Sequence, residues 1–162
     1  MESDNTNLLA AFISAVKGFS DSSQNLETNT LSDIFQLVQD VYTSTNNDFR
    51  KQREAQLTSL RASADWKKYT LHLLQILAFS EINKKDILER IGFEISSLLE
   101  KKVNGAPISP EELLILISAN IYCLLNKDFS IKISNHLARA LKHLFRFEFN
   151  EKGKKMIFSK IF

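Results

Sequence analysis

Six segments after residue 30 place apolar side chains three or four positions apart, and this helical spacing constrains the fold more than any other feature. The 162 residues include only 4 Gly and 2 Pro, so few positions can break a helix or form a tight turn. Only residues 145–149 alternate apolar and polar side chains as a strand does. The pattern therefore predicts an all-α protein.

Turn and capping residues mark where the helices begin and end. The strongest start signal is Ser109, Pro110 and Glu112. Ser and Glu at this spacing accept hydrogen bonds from two backbone N–H groups that have no partner within the helix, and Pro has no backbone N–H to satisfy. Thr30 and Ser63 fit the cap position of two earlier helices. The predicted helices span residues 31–44, 48–62, 64–79, 84–103, 110–125 and 131–146.

The six helices group into three pairs, whose first helices begin near residues 31, 66 and 110. The offsets bracket the 40 to 47 residues typical of HEAT repeats, in which two helices form one unit. We therefore expect an α-α superhelix of about three HEAT-like pairs over residues 31–150. Residues 1–30 are expected to form an N-terminal helix at 7–17 that is followed by a polar linker. Residues 151–162 are interpreted as the start of a further helix or as an apolar tail.

Stacked pairs require some helices to pack on more than one side. The third helix has apolar residues on more than one stripe, and the fifth is apolar all round and is predicted to be central. Phe93 lies opposite the core stripe of the fourth helix, which predicts a second packing surface there. In the second helix we expect Phe49, Leu57 and Leu60 to point inward.

Charge is unevenly distributed along the chain. Residues 1–48 hold seven acidic residues and one basic residue, whereas residues 126–162 hold nine basic and three acidic residues. The net charge of +2 indicates no strong overall attraction to nucleic acid or membrane. The basic face of the sixth helix could bind an acidic partner or be a solvated surface, and the sequence leaves both interpretations open.

Several function classes lack support in the sequence. Cys123 is the only cysteine, so no disulfide can form within the chain and a reducing compartment is expected. The most apolar segment, residues 113–125, is shorter than a membrane span needs, and the N-terminus lacks the basic region of a signal peptide. His136 and His143 are seven residues apart, and no third or fourth ligand lies at a spacing that would complete a metal site. No catalytic motif or phosphate loop is present, so we expect neither an enzyme nor a cofactor.

Four stretches of the chain resemble the N-terminal HEAT repeats of importin-β-type nuclear transport receptors, the karyopherins. They are residues 34–41, 47–57, 63–66 and 73–77, in which Arg50, Glu54 and Leu57 match the family pattern. Residues 108–112 and 126–149 are similar to the third pair of that family. The resemblance covers residues 31–150 in order.

This resemblance implies protein binding in the cytoplasm and nucleus. The first repeats of such receptors bind the small GTPase Ran in its GTP form, chiefly through the second helix of each pair. The corresponding residues on the exposed faces here are Arg50, Lys51, Glu54, Glu89, Arg90, Glu94, Lys132, Arg139, Lys142 and Arg146.

Two other hypotheses stay open at this point. Residues 132–160 are rich in Lys and Arg and could bind a nucleic acid or another acidic surface. Alternatively, the apolar C-terminal end could mediate self-association, as in a scaffold or a truncated product.

Overall fold

A computed structural model describes residues 28–79, 84–126 and 128–147 of the chain. The helix predicted for residues 7–17, most of the polar linker and the segment from residue 148 onward lie outside the described residues.

Six α-helices account for most of the described residues. Their bounds differ from the predicted ones by three residues or fewer, and no strand occurs in the described ranges, so the all-α prediction is confirmed. The largest difference is at the first helix, which begins before Thr30, so that Thr30 is not its cap. The helices are α1 (Thr28–Thr43), α2 (Asn47–Ala62), α3 (Trp66–Phe79), α4 (Lys85–Lys102), α5 (Pro110–Asn126) and α6 (Ile131–Leu144).

Side-chain caps fix the starts of three helices. At α5, Glu112 N–H donates to Ser109 Oγ at 3.1 Å and Ser109 N–H donates to Glu112 Oε1 at 3.0 Å, which confirms the predicted capping box. Asn46 Oδ1 caps α2 at 3.0 Å, and Ser130 Oγ caps α6 at 3.3 Å. These caps are local signals, and they position the connecting loops between the helices.

The core lies around α3. Trp66 and every residue from 69 to 78 are buried, so α3 has neighbours on all sides. It packs against α1, α2, α4 and α5. The prediction that this helix has more than one packing stripe is therefore confirmed, and its burial organises the other helices around it.

Helix α5 is less central than predicted. It packs mainly against α3 and α6, and the residues on those sides are buried. Leu114, Ile115 and Ile121 are only partly buried, and Leu125 is 59% exposed. The expectation of a central α5 is wrong, because a helix that is apolar all round can still leave one side half-covered at the edge of a core.

Two aromatic residues that were expected to pack inside face solvent instead. Phe49 is 42% exposed and Phe93 is 46% exposed, so the inward position predicted for Phe49 and the second packing surface predicted for Phe93 are both wrong. Phe93 contacts His136 of α6 edge to face, with ring centroids 5.8 Å apart, and its remaining surface is free. A single neighbour on one side accounts for this half-burial.

Helices contact both their neighbours in sequence and the next ones along. Helix α1 packs on α3, α3 on α5 and α4 on α6, and the α4–α6 contact is the most extensive of all. A Cβ atom on Gly92 would lie 3.3 Å from His136 Cβ, so the glycine permits a close approach of α4 and α6. Lys67 pairs with Glu112 at 2.9 Å and Cys123 Sγ lies 3.5 Å from the Leu74 carbonyl, so α3 and α5 run in the same direction.

Asn120 provides a test of the packing around α5. Its side chain is fully buried, and neither Oδ1 nor Nδ2 has a hydrogen-bond partner among the described residues. An unsatisfied buried polar group costs about 1–3 kcal/mol. We therefore predict that Asn120→Leu raises the free energy of unfolding by about 1 kcal/mol in urea denaturation.

The matched control is Asn135→Leu on the exposed face of α6, which should change stability by less than about 0.5 kcal/mol. If Asn120→Leu destabilises the protein while the control does not, the buried amide is satisfied in solution and the packing described for α5 is incorrect.

Candidate interaction surface

The ten predicted contact residues are placed on α2, α4 and α6 and just beyond the end of α6, but they do not all face solvent. Glu89 is half-buried, and Glu94 has only 2% of its surface exposed. The exposed residues are Arg50, Lys51, Glu54, Arg90, Lys132, Arg139, Lys142 and Arg146. The surface is therefore present at most of the predicted positions, with one clear exception.

Glu94 is a structural residue rather than a contact residue. Both of its carboxylate oxygens accept hydrogen bonds from Arg61, from Nε and from Nη2, the latter at 2.7 Å. Tyr69 Oη also donates to Glu94 Oε1 at 3.2 Å. A buried carboxylate requires such hydrogen bonds and a nearby positive charge. Glu94 is buried, so the expectation that it lies on an exposed face is wrong. The three side chains join α2, α3 and α4.

The protonation states within this cluster follow from burial. Burial and the nearby charge of Glu94 raise the pKa of Tyr69 far above its ordinary value, so the phenol stays protonated and remains a donor. The hydrogen bond to Glu94 raises the pKa of Arg61. Arg61 therefore keeps its positive charge beside the carboxylate, and Tyr69 acts as a neutral hydrogen-bond donor.

A groove of about 550 Å³ lies between α1, α4 and α6. Arg90 stacks over the Tyr42 ring, with 4.8 Å between the guanidinium carbon and the ring centroid. Glu89 and Lys132 also line the groove, together with Phe93. The structure thus brings together predicted residues from two helices beside two aromatic rings, and the rings were not among the predicted site residues.

A second, larger groove contains none of the predicted contact residues. It measures about 750 Å³ and lies between α1, α2 and the beginning of α3. Its charged lining is balanced, because it includes two acidic residues, Asp33 and Asp65, and two basic residues, Arg53 and Lys68. The balance of charge gives no indication of a ligand.

The exposed face of α6 carries cations that are not neutralised locally. Lys132, Arg139, Lys142 and Arg146 are exposed and form no ion pair with any described residue. By contrast, the side chains of Arg53, Arg61 and Lys67 are all paired with carboxylates. The basic face predicted from the sequence is therefore present, and its cations are unpaired among the described residues.

The two histidines of α6 lie along its border with α4. Burial lowers the pKa of His136, and the charge of Arg139 lowers it further. Burial also lowers the pKa of His143, whose Nδ1 has no hydrogen-bond partner among the described residues. No group of three or more potential metal ligands occurs in the described part of the chain.

Comparisons with known proteins assign no family. No protein family model matches the chain, and no curated protein and no solved structure is significantly similar to it. None of the helices in residues 28–79, 84–126 and 128–147 is both long and apolar enough to span a membrane.

Removing Arg61 tests the importance of the buried pair. Arg61→Met leaves the Glu94 carboxylate buried without its cation, so we predict a loss of about 3 kcal/mol in the free energy of unfolding. Glu94→Gln should cost less, because the amide oxygen can still accept from Arg61 and Tyr69. Both values can be measured by urea denaturation. A loss of under about 1 kcal/mol for Arg61→Met would mean that the carboxylate is solvated.

The histidines predict how stability depends on pH. Burial lowers the pKa of His72, His136 and His143 in the folded protein, so the unfolded chain binds protons first as the pH falls below about 6.5. The free energy of unfolding should therefore decrease between about pH 7 and pH 5. His72→Gln removes the most buried of the three and should make this decrease shallower. An unchanged slope in urea titrations of this variant would show that His72 is solvated.

Proposed function

We propose that the chain is a protein-binding module of three stacked helical hairpins, α1–α2, α3–α4 and α5–α6, that presents its second helices to a partner. The packing of α1 on α3, of α3 on α5 and of α4 on α6 supports this arrangement. The ion pairs of Arg61 with Glu94 and of Lys67 with Glu112 each link one hairpin to the next. In such a stack α4 and α6 lie side by side, and α2 is connected to α4 by the Arg61–Glu94 pair.

The observation that carries the proposal is the exposure of Phe49 and Phe93 on these second helices. Each ring lies among charged residues, with Arg53 6.0 Å from the Phe49 ring and Arg90 lining the same groove as Phe93. Aromatic and Arg side chains supply most of the binding energy at protein interfaces. An exposed aromatic beside an Arg on two successive second helices is the composition expected of such an interface.

Charges of both signs would give this surface its specificity. On α2, Arg50 and Lys51 lie close in sequence to Glu54, and on α4 Glu89 adjoins Arg90. Charge pairs at the rim of an interface mainly exclude wrong partners and speed association. A folded protein with an irregular charge pattern suits this mixture better than a uniformly charged polymer.

The partner we propose from the resemblance to transport receptors is Ran in its GTP form, met in the cytoplasm and nucleus. Binding of this kind requires neither catalysis nor a cofactor, and we propose that the protein is not an enzyme and uses no cofactor. The resemblance supplies the choice of partner, whereas the exposed second helices supply the reason to expect a partner.

A second candidate function is binding of a nucleic acid by α6. The supporting observation is that this helix contains no acidic residue and has exposed cations without local partners. The remainder of the basic region proposed for this function, residues 148–160, lies outside the described residues. The third hypothesis, self-association through the apolar C-terminal end, also concerns that region.

Calorimetry with Ran tests the first proposal. We predict that Ran loaded with GTP binds at least about tenfold more tightly than Ran loaded with GDP, and that Phe93→Ala weakens binding by about tenfold. The matched control is Leu125→Ala, which removes an exposed apolar side chain from a first helix and should leave affinity within about twofold. Equal or absent binding to both nucleotide forms would eliminate Ran as the partner.

Salt dependence distinguishes the nucleic-acid function. Two results would favour that function: a steep fall of oligonucleotide affinity between low and physiological salt, and the loss of that affinity in the double variant Lys142→Glu with Arg146→Glu. Protein binding through the mixed surface of α2 and α4 predicts weak oligonucleotide binding at physiological salt.

A further inference from the structure

The exposed side of α6 is organised in two adjacent rows. Positions four and three apart lie on one face of a helix, so residues at this spacing form a line along it. We call the first line the basic row, and it consists of Lys132, His136, Arg139, His143 and Arg146. The outer row lies next to it and consists of Ile131, Asn135, Ala138, Lys142 and Phe145.

The outer row places apolar side chains at both of its ends. Ile131 is 80% exposed and Phe145 is 41% exposed, and both residues leave apolar surface in contact with water. Ala138, in the middle of the row, is also exposed, and its short side chain would allow a neighbouring backbone to approach closely. The face thus combines a line of cations with two apolar ends and a shallow centre.

Neither row is neutralised by the described part of the chain. Helix α6 contains no acidic residue, and its cations form no ion pair with a described residue. A partner that brings carboxylates to the basic row would pair with Lys132, Arg139 and Arg146, which form no ion pair with a described residue. Charge complementarity therefore identifies the partner as acidic.

We propose that α6 docks an amphipathic acidic helix of a partner protein, with carboxylates against the basic row and apolar side chains against Ile131 and Phe145. This inference rests on the proposed protein-binding function, and it specifies the chemistry of the partner at one of the proposed second helices. The backbone of the docked helix passes over Ala138.

The spacing of the basic row favours a helix over an extended segment. Successive members of the row are three or four residues apart, which places them about 5 Å apart along α6. A partner helix repeats one face at about 5.4 Å per turn, whereas an extended strand repeats one face at about 6.7 Å. From Lys132 to Arg146, only a helix keeps its carboxylates aligned with the three cations of the row, Lys132, Arg139 and Arg146.

Acidic residues of α4 favour a protein over a nucleic acid at this surface. Glu89 is close enough to His136, and Glu100 to His143, to raise the pKa of those histidines against the other influences on them. Negative charge therefore borders the basic row on its α4 side. A phosphate backbone carries charge along its whole length and would be repelled along this border, whereas a helix presents its carboxylates on one face, toward Lys132, Arg139 and Arg146.

Two designed peptides test the proposal with the full chain. The first is a fluorescein-labelled, alanine-based helix of about 15 residues with five Glu spaced four and three apart and two Leu on the adjacent row. The second has the same composition with its Glu residues distributed around the helix. Fluorescence anisotropy should show that the first peptide binds at least about tenfold more tightly than the second.

Charge-reversal variants locate the binding surface. Arg139→Glu with Arg146→Glu should weaken binding of the first peptide by at least about tenfold. The control, Lys84→Glu just before α4 with Lys101→Glu in its last turn, makes the same change in net charge and should stay within about twofold. Far-UV circular dichroism and thermal unfolding of both variants confirm that they fold.

Equal binding of the two peptides, no binding of the first, or an equal effect of the two double variants would overturn the inference. Tighter binding of a 12-nucleotide oligomer than of the first peptide, lost in the α6 variant, would overturn it in favour of nucleic acid. Ran binding without peptide binding would contradict this inference alone. Peptide binding without Ran binding would contradict only the choice of Ran as partner.

Discussion

The burial of α3 on all sides is the constraint on which the rest of the structure depends. Leu71, Leu73 and Leu74 point in different directions around this helix and are all fully buried, so no single neighbour can cover it. Four helices surround it, and each of them needs only one apolar face. The outer helices can therefore carry charged and aromatic residues toward solvent without loss of the core.

Polar groups on α3 are compatible with this burial because each has a partner. Thr70 Oγ1 donates to the Trp66 carbonyl at 2.8 Å, and His72 Nδ1 lies 2.9 Å from Gln75 Oε1. Tyr69 connects the same helix to the pair formed by Arg61 and Glu94. That pair links α2 to α4, whose backbones are not closely packed.

The helices and the Ser109–Glu112 capping box could be predicted because their signals are local, whereas Thr30 was predicted as a cap and is not one. The Arg61–Glu94 pair could not be predicted, since its members are 33 residues apart. One signal was present: Glu94 lies three residues after Ile91 and seven after Ile87, on the core stripe of α4. The exposure of Phe93 depends on how much of α4 is covered by α6. The spacing of apolar residues within α4 alone gives no information about that coverage. The basic face of α6 was predictable because it has no acidic residue.

Native-state hydrogen exchange tests the central role of α3 most directly. If α3 carries the fold, its amides in residues 70–78 exchange only through global unfolding, and their opening free energy equals that measured by denaturation. The amides of α2, which has one fully buried residue, exchange through smaller local openings. Protection of α3 no greater than that of α2 would contradict a core organised around α3.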